Sequence, residues 1–307
     1  MVSGSLKVIK MIERKTQMNR RQFIQSTLAI SAMFGGASFA DANPKKDNKM
    51  THILLNDGIK IPQLGYGTWN IRGKDGQAAI ENALQVGFRH IDTAAYYQNE
   101  DIVGAAVKNS GIKRSDIFIT TKLMWGINTD RKGTIKEFSG SLKRLGMDYV
   151  DLYLIHAPYG NIPEIWQAMI ELKNKGLIRS IGVSNFGIDL VKQLCQTEIK
   201  PSLNQIELHP FHQQKQMQSE LKKLGVAVES YSPFSQGSSR VLHNKVLQKI
   251  GKKYGKTAAQ VILRWQIQKD IITIPKTQTK SRMIENFNIF DFALSDGDIQ
   301  EIEKLSS

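Results

Sequence analysis

Seven short apolar runs in this 307-residue chain stop at residues able to move protons or bind polar ligands. RHIDTA reaches Asp92, DIFITTK ends at Lys122 and YVDLYLIH ends at His156. IRSIGVSN ends at Ser184-Asn185, SLNQIELH passes Gln205, VAVESYS ends near Tyr231 and IITIPK ends at Lys276. Asp92 and Lys122 can neutralise each other, and a buried lysine beside a tyrosine favours the phenolate and lowers the tyrosine pKa. Such a tyrosine can give a proton and take it back, and a nearby histidine can hold a carbonyl oxygen. Tyr96 and Tyr97 both follow Asp92 closely, and the residues alone do not choose between them. The set reads as proton delivery to a developing alkoxide. Acyl transfer lacks its Gly-x-Ser-x-Gly elbow. His90 with Asp92, and His209 with His212, could pair as metal ligands; six histidines are too few for a hydrolytic barrel, and no metal is expected.

These residues need elements that bring them to one place. From residue 51 the apolar runs alternate with amphipathic helical patterns, among them GQAAIENALQVG, EDIVGAAVKNSG, TIKEFSGSLKRLG, PEIWQAMIELKNKG, LVKQLCQ, MQSELKKLG and AAQVILRWQIQK. Gly87, Gly111, Gly146, Gly176 and Gly225 stand where helices would end, as left-handed caps require. With LGYGTW as the first strand there are eight strands, which predicts an α/β fold, a (β/α)8 TIM barrel. A doubly wound sheet is the competitor, but Gly65-Tyr66-Gly67 opens no helix. ILLNDGIKI, with its Asn-Asp-Gly turn, predicts an N-terminal β-hairpin capping one barrel end. In such a barrel the C-terminal strand ends share one mouth.

The motifs then carry a family. From about Leu54 to Leu305 the chain resembles the aldo-keto reductases, in particular the short bacterial type that includes 2,5-diketo-D-gluconate reductases. The stretches are LNDGIKIPQLGYGTW, GFRHIDTAAYYQNE, ITTKLMW, DLYLIHAP, GLIRSIGVSNF, NQIELHP and IPKTQTKSRMIENFNIFDFALS, in order. The resemblance implies a catalytic tetrad of Asp92, Tyr97, Lys122 and His156, with Tyr97 as general acid and His156 orienting the carbonyl. It implies that Ser184, Asn185 and Gln205 hold the nicotinamide carboxamide and that Tyr231 stacks on the ring. Gly67, Thr68 and Trp69 would border the nicotinamide, and the loop from Ser232 to Gly237 would lie over the pyrophosphate. Lys276, Thr277 and Arg282 would grip a 2′-phosphate, with Glu285 and Asn286 at the adenine, so NADPH is expected over NADH. Relatives commonly carry tryptophan after the catalytic histidine. Here Ala157 stands there, which opens one wall and leaves Trp69, Trp125 and His156 as the substrate pocket. A small or polar carbonyl such as a keto-sugar or keto ester is expected. The alternative is a non-catalytic NADP-binding regulatory or sensing module on the same fold.

Composition fits this reading. The net charge is +14. Residues 1–50 hold nine basic and three acidic side chains, so +6, which leaves +8 for the rest. A moderate positive field suits a phosphorylated ligand. No nucleic-acid motif accompanies it. The single cysteine, Cys195, rules out an intramolecular disulfide and reads as a small apolar residue.

The front end is different in kind. Arg20-Arg21-Gln22-Phe23 precedes a run without charge to Ala40, with small residues at Ser38 and Ala40. This resembles a twin-arginine signal. Residues 1–40 are therefore expected to be an export extension, 41–50 a polar linker and 51–307 the barrel, with Met18 a plausible true start. The expected partner is the twin-arginine translocase, with a periplasmic monomer as product and a cytoplasmic working pool as the alternative. The run is diluted by Gly35, Gly36 and several hydroxyl residues, so a permanent membrane anchor is not expected.

Overall fold

The computed structural model describes residues 50–126 and 129–306. The expected export signal, residues 1–40, and most of the linker lie outside them. Strands β1 (His52–Leu54) and β2 (Lys60–Pro62) pair antiparallel, with His52 opposite Pro62. Gly58 turns the chain between them at φ +84°, a left-handed conformation that costs glycine little.

Eight parallel strands follow: β3 (Tyr66–Gly67), β4 (His90–Asp92), β5 (Phe118–Lys122), β6 (Val150–Ile155), β7 (Ile178–Ser184), β8 (Leu203–Glu207), β9 (Ala227–Tyr231) and β10 (Ile272–Thr273). Each pairs with its sequence neighbour, from β3 through to β10. Leu64 then pairs parallel with Thr273, and the Gly65 N–H donates to the Thr273 carbonyl at 2.8 Å, which closes the ring. The expected (β/α)8 barrel with its hairpin is the fold found.

Alternation along each strand sorts the side chains. On β6, Leu152 and Leu154 point into the barrel with Phe118, Leu203 and Ile272, while Tyr153 and Ile155 face the helices. Leu55 and Ile61 of the hairpin region pack against that inner set. Phe118, Leu203 and Ile272 begin their strands, so the hairpin seals the N-terminal end and leaves the opposite mouth for chemistry.

The seven expected helices are present, with Gly87, Gly111, Gly146, Gly176 and Gly225 all at positive φ after them. Four more were not expected: Ser239–Leu242, Lys245–Tyr254, Lys280–Phe287 and Asp296–Glu303. Lys245–Tyr254 buries only Leu247, Ile250 and Gly251, too narrow a stripe to stand out among its lysines, and Asn244 caps it by accepting from Val246 and Leu247. β4 ends at Asp92 as expected, whereas β10 stops at Thr273, short of the expected Lys276.

Candidate active site

The strand ends deliver a buried charged chain. Lys122, last in β5, is fully buried. Its ammonium donates to Asp92 Oδ1 at 2.6 Å, to the Thr93 carbonyl at 3.0 Å and to the Tyr97 hydroxyl at 3.3 Å. Tyr97 ends a 3-10 turn, Ala95–Tyr97, that begins just past β4 and closes on Gln98 in the left-handed region. That turn separates the two tyrosines. Tyr97 meets Lys122, whereas Tyr96 points outward, stacked on Trp69 with ring centroids 5.9 Å apart and edge-on to Trp125 at 5.3 Å.

His156 follows β6 by one residue. Its ring lies edge-on to Tyr97, with centroids 5.6 Å apart. Among the described residues Nδ1 is buried without a hydrogen-bond partner. Among the described residues Nε2 has no partner either and is not buried, so it is the ring nitrogen open to a ligand beside the Tyr97 hydroxyl. Burial, helped by the Lys122 charge, pulls the His156 pKa down to about 3, so the ring is neutral at physiological pH.

Burial would drive Lys122 toward the neutral amine, but the charge and the hydrogen bond of Asp92 lead the opposing effects, and the ammonium is held. Tyr97 departs from expectation. Burial pushes its pKa up; Lys122 opposes this, but Asp92 and Glu229 reinforce it, and the net direction is upward. Lys122 lowers the phenol as anticipated, but burial outweighs it. The phenol therefore stays protonated at neutral pH, ready to donate.

Beneath the tetrad lie two more buried titratable groups: Glu229, which the sequence does not single out, and His90, considered there only as a metal-ligand partner of Asp92. Glu229, mid-β9, accepts from Gln205 Nε2 at 3.0 Å, and the same nitrogen donates to Asp92 Oδ2 at 2.8 Å. His90 packs 3.6 Å from Glu229 and shares a 3.0 Å hydrogen bond with Thr120. Two signals were available: Glu229 and Tyr231 share one face of β9, and His90 shares a face with Asp92.

A cleft of about 1390 Å³ runs from this point across the barrel mouth. Gly67, Asp92, Tyr97 and His156 line it at the tetrad, beside the exposed rings of Trp69 and Trp125. Ser184, Asn185, Gln205, Tyr231 and Ser232 line its middle, and Lys276, Thr277, Arg282, Glu285 and Asn286 its far end. Asn185, at φ +60°, ties the middle together: its amide donates to the His156 carbonyl at 3.2 Å, and its oxygen accepts from the Tyr231 hydroxyl at 2.9 Å. Thr68 is the exception. It is fully buried, and both its N–H and its hydroxyl donate to the Asp92 carbonyl, at 3.0 and 2.9 Å. It fastens β3 to β4 and does not border the cleft.

The donor set fits a phosphorylated dinucleotide. Among the described residues neither Lys276 nor Arg282 makes a salt bridge, and both are exposed at the far end. They are separated from the tetrad by a run of polar and aromatic groups of the kind a nicotinamide and ribose need.

Residues 63–307 match the family model described as the aldo/keto reductase family. The methylglyoxal reductase DkgA of Escherichia coli (strain K12) is 46% identical over 259 residues, which cover 83% of this chain and 93% of that protein. An aldo/keto reductase from Brucella melitensis superposes with a TM-score of 0.80 at 45% identity, covering 84% of this chain and 100% of that one. An aldo-keto reductase of Bombyx mori, solved in complex with NADP, superposes with a TM-score of 0.78 at 35% identity over 84% of this chain and 93% of that one. On barrel, strand-end chemistry and sequence together, the chain belongs to the aldo/keto reductase family.

Proposed function

We propose that the chain reduces small aldehydes and ketones to alcohols, with Tyr97 as the proton donor and Asp92, Lys122 and His156 as its partners. As an aldo/keto reductase it is an NADP-dependent oxidoreductase. One observation carries the assignment of roles: the Asp92–Lys122–Tyr97 chain of contacts ends beside the open nitrogen of His156.

NADPH, when bound, supplies the hydride. The chain's own residues do the rest. His156 Nε2 and the Tyr97 hydroxyl hold the carbonyl oxygen between them, and Tyr97 gives up its proton as negative charge develops there. Lys122 stabilises the phenolate left behind, and Asp92 keeps Lys122 charged and in place. Ser184, Asn185 and Gln205 present polar groups to the carboxamide, Tyr231 presents a ring face, and Lys276, Thr277 and Arg282 bind the 2′-phosphate. Glu285 and Asn286 serve the adenine, and the loop from Ser232 to Gly237 covers the pyrophosphate. Trp69, Tyr96 and Trp125 form an aromatic rim beside the tetrad, which suits small carbonyls. Methylglyoxal is the first substrate to try, because the Escherichia coli relative is named for it.

The test is NADPH consumption with methylglyoxal and a panel of keto-sugars and keto esters, run in parallel with NADH. Arg282→Ala should raise the KM for NADPH roughly 10- to 100-fold, the loss of a charge-assisted contact, and leave that for NADH little changed. Equal activity with both cofactors and an indifferent Arg282→Ala would sink the phosphate assignment.

Export rests on sequence alone. We infer that residues 1–40 act as a twin-arginine signal, that 41–50 link it to the barrel of 51–307, and that a folded monomer is carried to the periplasm by the translocase. Changing Arg20 and Arg21 to Lys should shift the protein to the cytoplasmic fraction. An unchanged distribution would reject the signal and leave the cytoplasm as the working compartment. Among the described residues no helix is long and apolar enough to cross a membrane.

A further inference from the structure

Gln205 is held from two sides. Its Nε2 donates one hydrogen to Asp92 Oδ2 at 2.8 Å and the other to Glu229 Oε2 at 3.0 Å. Its Oε1 has no partner among the described residues and is not fully buried, although the residue as a whole is only 2% exposed. The amide is thus presented to the cleft by its carbonyl end only. We propose that Glu229 is a positioning residue for cofactor binding: together with Asp92 it pins the Gln205 amide, so that a hydrogen-bond acceptor faces the carboxamide NH2 of the nicotinamide. This rests on reading the cleft as an NADPH site.

The need for a second anchor follows from the amide itself. Asp92 alone satisfies one of its two N–H groups. The other lies in a buried layer, where an unpaired donor is costly, and a half-anchored amide turns over to present its NH2 instead. A donor in that position would meet the carboxamide NH2 donor to donor.

Glu229 occupies a crowded electrostatic setting. β4 turns His90 and Asp92 toward it, β5 turns Lys122, and β8 supplies Gln205, with the Tyr97 hydroxyl beyond Lys122. β10 pairs alongside with the uncharged Ile272 and Thr273. Burial first, then the Asp92 charge, pushes the Glu229 pKa up to about 8. Glu229 is therefore protonated at neutral pH, and one ammonium faces one carboxylate. As pH rises through that value a second negative charge appears beneath the tetrad. It makes the Tyr97 proton harder to release, because the Glu229 charge acts on Tyr97 in that direction.

Two variants test this. Glu229→Ala removes the anchor, and Glu229→Gln keeps an acceptor but removes the ionisation. Binding of NADPH is measured by fluorescence, beside binding of 2′-phospho-ADP-ribose, which lacks the nicotinamide. Glu229→Ala should bind NADPH about tenfold more weakly, the loss of one hydrogen bond, and bind the fragment as the wild type does. In Glu229→Gln the fall in kcat on the alkaline side, centred near pH 8 in the wild type, should disappear. Equal weakening for NADPH and fragment, no weakening of either, or an alkaline limb that survives in Glu229→Gln would overturn the proposal. If the alanine variant fails to fold, Glu229→Leu, which keeps the bulk but offers no acceptor, takes its place in the same two binding measurements. A wild-type protein that binds no NADPH would instead overturn the functional reading, and this is seen before any variant is made.

Discussion

Lys122 sits fully buried with its charge intact because three partners surround it: a carboxylate, a carbonyl and a phenol. Around it two histidines pay the opposite way. His90 and His156 both have pKa values pulled down to about 3, chiefly by burial. The unfolded chain takes up these protons near pH 6.5, while the folded protein does not. The stability they permit is thus present above about pH 6.5 and is lost as pH falls toward 3. Each should cost about 1.4 kcal/mol by pH 5.5. Denaturant unfolding at pH 7.5 and 5.5 should show that loss, and His90→Asn should reduce it; a variant with an unchanged slope would contradict the buried neutral ring. At this scale the sequence was readable where strands end. Asp92, Lys122 and His156 stand out there because polar residues close apolar runs. Glu229 did not stand out, since only the inward direction of a mid-strand side chain shows that it touches the tetrad, and His90 stood out only as a possible metal ligand beside Asp92. Thr68 was misplaced for a related reason: adjacency to Gly67 and Trp69 does not reveal which way a hydroxyl points, and here it points at the Asp92 carbonyl.

Helix spacing is set by a few close approaches. Helix Glu100–Asn109 carries Gly104 against the end of helix Arg131–Leu145, where a β-carbon on Gly104 would stand 2.0 Å from the Leu145 carbonyl oxygen. Beside it the buried Glu100 accepts from Thr121 at 2.6 Å and from Arg144 at 2.7 Å, linking both helices to β5 one residue before Lys122. Gly104→Ala should therefore destabilise the barrel by about 1–3 kcal/mol, as overpacking does, and a thermal melt reads it directly. A variant as stable as the wild type would mean that the two helices part without cost. The barrel strands and the helices between them were legible from their periodicity and glycine stops. The four additional helices were not, because their apolar stripes are short and their caps, such as Asn244 at Lys245–Tyr254, depend on local geometry.

Across the molecule, the closed ring brings residues more than 150 positions apart into one cleft. A hairpin seals the far end, so the mouth is the only part of the barrel axis left for chemistry among the described residues. Eight alternations of strand and helix were enough to read that plan, and the mouth followed from it. The net effect of burial on Tyr97 was not legible. It depends on how deeply the closed barrel buries the phenol against the opposing Lys122 charge, and no linear spacing encodes that. The assembled site makes Tyr97 the donor of the proton that turns a carbonyl into an alcohol. Reduction of methylglyoxal by Tyr97→Phe, with NADPH affinity measured alongside, tests this most directly. The expected result is a kcat lower by about 10²- to 10⁴-fold, the usual contribution of a positioned general acid, with the dissociation constant for NADPH within about twofold of wild type. A Tyr97→Phe enzyme that still turns over at the wild-type rate would contradict it.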